Sequence, residues 1–366
     1  LINISIIPKK ILSIINSVID NLSKIFLTSL GNFMHIFTRR DFTSEAKDHL
    51  SNSFLCVNAF DQSLIPRKYK KKSTLIIADF LSFDFPDDFD EYRDTYLKNL
   101  FVNEAKESRN IICFSKHVKD RHLVRGLGID ANKIIIIPHT LHNLSSGYNA
   151  DIFDNKSMIN KAIFIIQKSK VFSKREKKRI IRSKFFLSAS TYRKPYKGIE
   201  TLLLFNEILR TKSTNFLIVS THIPDENKKL FKDNGGIVPD KRVNNSELSA
   251  LYVLSYASIH VSKFEGGINV APFSEAVSVG KPCIFLSNLA TKEANLNKLE
   301  LGEIKDKDRQ NIFFNNYSSI DMTLLYLISN YQTVLDNQKK YFIDYCKSYN
   351  ESDRNKLWKG ALNRRN

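Results

Sequence analysis

The sequence predicts an α/β protein built from two doubly wound domains in tandem. Short runs of Ile, Val and Phe alternate with helical patterns along most of the chain, and the alternation occurs twice. The runs are almost continuously apolar, as strands buried on both faces of a sheet must be. Strands that alternate with helices need crossover connections and therefore form a parallel sheet. A length of 366 residues suits two domains with a core each.

The first half starts with an amphipathic helix over Lys9–Gly31, whose apolar residues recur at helical spacing. Its apolar face serves either for packing against a sheet or, with the lysines beside it, for contact with anionic lipid. Four strands are predicted at Phe54–Val57, Thr74–Ala78, Asn110–Phe114 and Lys133–Ile137. Helices are predicted between them at Phe89–Ser108 and His117–Leu127.

The second half repeats this pattern. Its strands are predicted at Lys184–Ser188, Phe216–Ser220, Ser258–Val261 and Pro282–Leu286, and its helices at Gly198–Arg210, Ser246–Tyr256 and Phe273–Val279. A polar stretch and a basic segment between Leu144 and Arg182 indicate the boundary. We therefore predict domains at residues 1–160 and 161–345, and a terminal helix at 346–366 that crosses back to the first domain.

The charge balance restricts the partners of the chain. Lys and Arg number 56 against 38 Asp and Glu, a net charge of +18. Such an excess attracts nucleic acid, an anionic lipid surface or phosphorylated substrates. Eight of the cations lie between Lys168 and Arg182 beside a single acid, Glu176. This segment is either a solvated helix face or a patch that attracts an anionic acceptor or a membrane surface.

Composition excludes several classes of protein. Hydrophobic residues make up 42% and charged residues 26% of the chain, which is typical of a globular protein and not of a disordered or fibrous one. No apolar run approaches the ~18 residues that a membrane-spanning helix needs. The cysteines are too far apart for a CxxC site or a disulfide framework, so we expect buried, reduced thiols in a cytosolic protein: Cys56, Cys113, Cys283 and Cys346.

The segment from Phe264 to Pro282 carries the most informative chemistry. A predicted strand runs into a loop with Gly266 and Gly267, and a helix follows. Free N–H groups and the positive end of a helix favour a phosphate, and glycines let the backbone approach it closely. Glu265 and Glu275 flank this position, and carboxylates accept hydrogen bonds from sugar and ribose hydroxyls. The pattern therefore fits a nucleotide-sugar.

A second loop, within Ser188–Leu203, also follows a strand and opens a helix. Arg193 and Lys197 place two cations at the carboxyl end of that strand. There they could meet both charges of a diphosphate.

Together the two segments resemble the donor half of the GT-B glycosyltransferases of family 4. These are retaining, nucleotide-sugar-dependent enzymes that build lipopolysaccharides, capsules and other glycans. The resemblance covers most of the chain, in order, through Leu75–Pro86, Ile111–Pro138, Phe185–Leu203, Val243–Val261, Glu265–Pro282 and Leu357–Ala361. It implies the GT-B fold, in which two Rossmann-like domains with parallel sheets face a central cleft.

The resemblance also implies roles for individual residues. The catalytic set would be Arg193 and Lys197 on the donor diphosphate and Glu265 at the transferred sugar. Glu275 would bind the ribose hydroxyls, and the other substrate-binding residues would be Gly266, Gly267, Asn269, Val270, Asp79 and His139. The implied reaction is retaining transfer to a glycan or lipid-linked acceptor in cell-surface polysaccharide synthesis. No metal or other cofactor is implied, because cations and the helix end stabilise the departing diphosphate.

The chain departs from the family pattern at three places. Glu265 and Glu275 enclose nine residues where the family usually has seven. The Gly-Arg pair of the diphosphate loop reads Ala189-Ser190, and the histidine before Asp79 is replaced by Ala78.

Other interpretations stay open at this point. The acids around Asp88 and Asp90 resemble the DxD metal motif of another glycosyltransferase class, although their place before a predicted helix favours capping. His139 either meets a substrate group or hydrogen-bonds a turn. Four other histidines have no partner at metal-ligand spacing and are expected to be structural or exposed: His117, His122, His222 and His260.

Three alternative functions compete with sugar transfer. The net charge motivates a nucleic-acid-binding protein, but the basic segment lacks interleaved aromatics and no known binding module appears, so no nucleic acid is expected. The second alternative is a different GT-B enzyme, such as a nucleotide-sugar epimerase. The third is an inactive relative that binds a partner. As the location, we expect the cytoplasm, with peripheral attachment to the anionic inner face of the membrane.

Overall fold

The computed structural model describes residues 55–58, 73–88, 99, 102–192, 194–212, 215–264, 271–286, 293, 303–304, 317–349 and 351–363. The helix predicted at Lys9–Gly31 lies outside the described residues. So does most of the helix predicted at Phe89–Ser108, of which residue 99 and residues 102–107 are helical.

The first sheet is parallel and has four strands in chain order: β1 Leu55–Asn58, β2 Ser73–Ile76, β3 Asn110–Cys113 and β4 Ile134–Ile136. The second sheet is also parallel, with the strand order β6-β5-β7-β8-β9. Its strands are β5 Lys184–Ser188, β6 Phe216–Ser220, β7 Ala257–His260, β8 Cys283–Leu286 and β9 Glu303–Ile304. These sheets confirm the predicted α/β architecture.

Nine α-helices flank the sheets in the described part of the chain: α1 Asn155–Lys168, α2 Lys174–Arg182, α3 Ile199–Thr211, α4 Asp225–Asp233, α5 Asn245–Leu254, α6 Ala271–Ser278, α7 Tyr317–Ser329, α8 Tyr331–Ser348 and α9 Glu351–Asn363. A π-helix covers Val118–Gly126, where an α-helix was predicted. Short 3-10 turns at Pro86–Asp88 and Pro195–Lys197 follow β2 and β5.

The strands are buried on both faces, as their apolar runs predict. In β5, Phe185 and Leu187 belong to the core that α1, α5, α6 and α8 cover. Phe186, between them, belongs to the core beneath α3 and α7. Successive side chains of a strand point to opposite faces, so a strand covered on both sides needs apolar residues at every position.

Several helices were missing from the prediction. The helix α1 packs three buried residues, Met158, Ala162 and Ile166, against the second sheet's core. Their i, i+4 spacing is a helical signal. The helices α4, α7 and α8 were not predicted either.

The terminal helix α9 contacts the first sheet. The Asn110 side-chain amide donates a hydrogen bond of 2.9 Å to the Ala361 carbonyl. Ala361 and Trp358 pack with Ile112 and Ile137 on one face of this sheet. The chain therefore passes from the second sheet back to the first.

The thiol expectation is partly wrong. Cys113 and Cys283 are buried free thiols, but Cys346 is exposed on α8. Cys346 faces solvent because α8 presents Phe342 and Tyr345, and not its neighbour, to the core. Among the described residues, no helix combines the length and the apolar character that crossing a bilayer demands.

Candidate functional site

The second sheet reverses its strand order beside β5. The chain runs from β5 to β6 on one side, and β7 then pairs with the other side of β5, through Phe186–Ala257 and Leu187–Ser258. In open α/β sheets, ligands bind at the carboxyl ends of the strands where the order reverses. The two loops predicted to hold a donor follow β5 and β7, the strands at this point.

The two loops meet at their bases. The Lys263 N–H donates a hydrogen bond of 2.8 Å to the Tyr196 carbonyl. Gly198 has φ +78°, and a Cβ at this position would overlap the Val261 carbonyl oxygen. Only glycine allows this approach together with a left-handed backbone. The turn that carries Lys197 is therefore fixed against the strand end from which the diglycine loop departs.

Lys197 is a partly exposed cation at this junction. Its Nζ lies 5.1 Å from the centroid of the Tyr196 ring. Arg193 and the predicted loop residues Glu265, Gly266, Gly267, Asn269 and Val270 lie outside the described residues. Their roles remain predictions.

Glu275 lies on α6 with its side chain 16% exposed. Its Oε1 is 3.0 Å from Nδ1 of His142, a residue of the segment that connects the two sheets. The pKa of the neighbouring Tyr252 hydroxyl is raised well above its usual value, mainly by burial and further by the charge of Glu275. The carboxylate thus lies at the edge of the core, with one side toward the connecting segment.

The connecting segment is hydrogen-bonded to α6. The His142 N–H donates to the Ser274 hydroxyl (3.1 Å), and the Leu144 N–H donates to the Ser278 hydroxyl (3.0 Å). Because these serines are four residues apart, they lie on one face of the helix. This backbone attachment sets His142 beside Glu275, whose hydrogen bond raises the pKa of the His142 imidazole above its usual 6.5.

A contact between the two halves of the chain involves the turn that precedes Lys197. The Asp88 carboxylate accepts a hydrogen bond of 2.8 Å from the Tyr196 N–H, and Lys194 Nζ donates one of 2.8 Å to the Asp88 carbonyl. The Phe85 and Tyr196 rings stack with centroids 5.4 Å apart. The loop after β2 is thereby attached to the loop after β5.

A second contact places Phe264 in the core beside the first sheet. Phe264 is 1% exposed, and its ring centroid lies 5.5 Å from that of His117 and 5.7 Å from that of His122. Glu265, the next residue, begins the predicted donor loop. Because loops at the carboxyl ends of both sheets make these contacts, those ends face each other.

Asp84 forms the centre of a buried ion-pair cluster. Its Oδ2 lies 2.9 Å from His117 Nε2 and 2.6 Å from His122 Nε2, and Arg121 pairs with Oδ1. Although burial opposes ionisation, the hydrogen bonds from both histidines and Arg121 hold the Asp84 pKa well below its usual range. His117 and His122 are therefore structural, as expected, and the π-helix that begins after His117 brings both rings to Asp84.

The start of the helix that the acids were predicted to cap lies outside the described residues, so capping stays a prediction. Asp84 binds side chains of the π-helix, and Asp88 binds the Tyr196 N–H of the other half. Both partners are distant in sequence, which is why local pattern could not reveal them. Asp90, the other member of the DxD pair, lies outside the described residues.

Asp84, His117 and His122 are residues of the types that bind metals. The hydrogen bonds of the cluster nevertheless do not suit a metal ion. His122 Nδ1 accepts a hydrogen bond of 3.0 Å from the Phe80 N–H, so the proton of the neutral ring is on Nε2. A metal bound at Nε2 would require that proton on Nδ1. The cluster is therefore an ion-pair network in which the surrounding side chains donate hydrogen bonds to the Asp84 carboxylate.

Glu293 joins the second half to the start of the π-helix. Its carboxylate accepts hydrogen bonds from the N–H groups of Lys116 and His117, the latter at 2.9 Å. A carboxylate at a helix N-terminus is favourable. These residues line a cavity of about 360 Å³ together with Asp120, Arg121 and Arg125.

Two further predicted residues lie at strand ends of the first sheet. Asp79 follows β2 and is partly exposed. His139 follows β4, with its ring centroid 3.7 Å from that of Phe114 and its carbonyl accepting a hydrogen bond of 2.9 Å from the Tyr345 hydroxyl. The pKa of His139 is lowered, mainly by partial burial and further by the nearby His142 and Arg354.

Sequence reasoning missed His142 and Glu293, and it missed the contact that Asp88 makes with Tyr196. His142 is three residues from His139, so its place after a predicted strand was a usable signal. Asp88 contacts Tyr196, 108 positions away, and Glu293 contacts Lys116, 177 positions away. No local sequence pattern encodes contacts of this kind.

No family model and no curated protein sequence matches the chain. Among solved structures it is similar to a sucrose-phosphate synthase from Thermosynechococcus elongatus, with TM-score 0.61, 11% identity and coverage of 90% of this chain and 78% of that one. It is also similar to a UDP-forming α,α-trehalose-phosphate synthase from Burkholderia vietnamiensis (TM-score 0.56, 8% identity, 90% and 82% covered). A glycosyltransferase from Rickettsia africae matches with TM-score 0.56, 14% identity, and 94% and 84% covered.

These similarities extend over nearly the whole chain, and they concern the fold. The protein has the GT-B fold, with two Rossmann-like parts and parallel sheets. The predicted fold is confirmed.

Proposed function

We propose that the protein is a glycosyltransferase that moves a sugar from a nucleoside-diphosphate donor to a glycan or lipid-linked acceptor. The observation that carries the proposal is the junction of the two donor loops at the switch point of the second sheet, where the Lys263 N–H binds the Tyr196 carbonyl. The GT-B neighbours include a synthase described as UDP-forming, which supports a nucleotide-sugar as donor.

In the proposed mechanism, Lys197, and Arg193 with it, bind the diphosphate. Glu275 accepts hydrogen bonds from the ribose hydroxyls, and the loop with Glu265 holds the transferred sugar. As the sugar–phosphate bond breaks, negative charge develops on the departing diphosphate, and fixed cations stabilise it. Preorganised electrostatic stabilisation of this kind commonly contributes several kcal/mol, about 3 for a single donor group.

The finer parts of the proposal are retention of the anomeric configuration, independence from metal, and a role in cell-surface polysaccharide synthesis at the cytoplasmic face of an anionic bilayer. Retention places the acceptor hydroxyl on the face from which the diphosphate departs. Proton NMR of the product anomer tests retention, and turnover in the presence of EDTA tests metal independence.

Two substitutions test the site. Lys197→Ala and Glu275→Ala should each lower transfer by orders of magnitude, about 100-fold or more, without unfolding the protein. Lys229→Ala and Glu226→Ala, exposed on α4, are matched controls that should keep wild-type turnover. Near-wild-type turnover in both site variants would overturn the assignment.

Thermal shift with UDP, GDP and ADP identifies the base. Binding to the native state raises the melting temperature in proportion to the logarithm of ligand concentration over Kd. A shift with oligonucleotides and none with nucleoside diphosphates would favour the nucleic-acid alternative.

A further inference from the structure

The positive charge of the chain is concentrated on two consecutive helices. Residues 155–184 contain eleven Lys and Arg and one acid, a net charge of +10 out of the +18 of the whole chain. They comprise α1, α2 and the loop between them. This charge lies outside the junction of the donor loops, and the proposed transfer reaction does not use it.

The single acid of this region is directed at the backbone. The Glu176 carboxylate accepts a hydrogen bond of 2.8 Å from the Ser173 N–H, and the Ser173 hydroxyl accepts one from the Glu176 N–H. This capping box starts α2. Glu176 therefore stabilises the helix start, and its single charge offsets only one of the eleven cations of this region.

Five exposed cations lie together at the end of α1, in the loop and on the first turns of α2. With Phe164 they form what we call the basic face: Phe164, Lys168, Lys170, Lys174, Arg175 and Lys178. Within the described part of the chain, none of the five cations forms an ion pair. Lys177 Nζ donates a hydrogen bond of 3.1 Å to the Gln167 carbonyl, which holds α2 against the end of α1.

Phe164 is exposed in the middle of this charge. The residue is 58% exposed, the largest value among the exposed large apolar residues in the described part of the chain. Lys168, one turn further along α1, has its Nζ 5.6 Å from the centroid of the Phe164 ring. An exposed aromatic ring among unpaired lysines is costly in water but suits the headgroup region of a bilayer.

We propose that the basic face binds the surface of an anionic lipid bilayer, with Phe164 inserted at headgroup level and the five cations over lipid phosphates. The proposal specifies the surface for the membrane attachment included in the proposed function. It does not depend on the donor site. A bilayer is favoured over nucleic acid because the face offers a single aromatic ring, whereas single-stranded nucleic acid is bound by successive stacking platforms.

Vesicle cosedimentation tests the proposal with the full chain. Wild-type protein should bind vesicles of phosphatidylcholine with about 30% phosphatidylglycerol and should not bind pure phosphatidylcholine, and binding should weaken as salt shortens the Debye length. Replacing four cations by Gln, at Lys170, Lys174, Arg175 and Lys178, should lower the partition coefficient at least ~100-fold, since each basic residue near the surface contributes about fivefold. Phe164→Ser should lower it about tenfold.

A matched control removes the same charge elsewhere, by Gln at Lys229, Lys241, Lys340 and Lys359, all exposed. This variant should lose much less binding than the basic-face variant. Equal losses would show that only net charge matters, and unchanged binding in the basic-face variant would show that another surface is used. Either result overturns the proposal.

Two further measurements complete the test. An oligonucleotide that binds more tightly than the anionic vesicles, with binding abolished by the same four substitutions, would overturn the bilayer as partner. The thermal shift with UDP should be equal in wild type and in the basic-face variant. A wild-type chain that binds vesicles but no nucleotide would contradict the proposed function and leave this inference intact.

Discussion

The Asp88 carboxylate accepts the backbone N–H of Tyr196 at 2.8 Å, across the two halves of the chain. Asp88 lies in the turn after β2, and Tyr196 immediately precedes Lys197. Lys194 donates to the Asp88 carbonyl in the same place. An acid of the first half therefore fixes the backbone beside the cation that is proposed to bind the donor diphosphate.

Asp88→Ala should release this turn and weaken productive donor binding. The lost hydrogen bond has an ionised acceptor, so we expect kcat/KM for the donor to fall about tenfold or somewhat more. Asp88→Asn, which keeps a carbonyl oxygen as acceptor, should recover part of the loss. Initial-rate kinetics with varied donor give the measurement. Asp87→Ala, at the exposed neighbouring acid, should behave as wild type, and an equal loss there would argue against the contact.

Gly198→Ala should destabilise the second half of the chain. Its backbone has φ +78°, and a Cβ would overlap the Val261 carbonyl oxygen. Two other glycines distinguish backbone strain from steric overlap. Gly128 has φ +67° but open space for a Cβ, so it tests strain alone, and Gly360 on α9 has open space and no positive φ. We expect Gly128→Ala to cost about 1 kcal/mol, Gly198→Ala distinctly more, and Gly360→Ala to stabilise by up to ~1 kcal/mol. Urea unfolding measures all three, and similar values for Gly128 and Gly198 would exclude the overlap.

The His142–Glu275 pair should make stability depend on pH. Because its pKa is raised above 6.5, protonated His142 stabilises the fold below that value, and this contribution disappears as pH rises through the raised pKa. The His142 side chain is 56% exposed, so the contribution should be at most about 1 kcal/mol.

A double-mutant cycle with His142→Gln and Glu275→Gln isolates the coupling. The coupling energy, from urea unfolding, should be present near pH 5.5 and nearly absent near pH 9. A coupling that does not change with pH would show that charge has no part in it.

Asp84→Asn should destabilise the protein strongly. The Asp84 side chain is 7% exposed and pairs with His117, His122 and Arg121. Removing one partner of a buried charge network typically costs about 3–5 kcal/mol. Because the Asp84 pKa is lowered, its contribution is present above the ordinary pKa and disappears as pH falls through the lowered value. The stability difference between wild type and variant should therefore be constant from neutral pH to about pH 5 and shrink in stronger acid.

Thermal unfolding across this pH range provides the measurement. Asp344→Asn, at an exposed site on α8, is the control and should change stability little. If Asp84→Asn were as mild as the control, the network would not stabilise the fold.

The strands could be predicted from sequence because their signals are local. β5 carries apolar residues at consecutive positions, which only a strand covered on both faces requires. The turn at Gly198 and the helix α6 were also indicated by short segments around them. Helices such as α1 had a helical period too, but basic residues within it obscured the apolar face.

Contacts between residues distant in sequence were not accessible in this way. Asp84, His117 and His122 form a network because a π-helix replaces the expected α-helix, and Asp88 binds a turn that lies more than 100 residues away. The sequence by itself determined the α/β class, the parallel sheets and the order of strands and helices along the chain, because burial and backbone conformation impose residue types at fixed spacing. Only the tertiary structure decided which acid accepts a hydrogen bond from which N–H group or side chain. Hydrogen bonds between distant segments depend on how those segments are brought together in the fold.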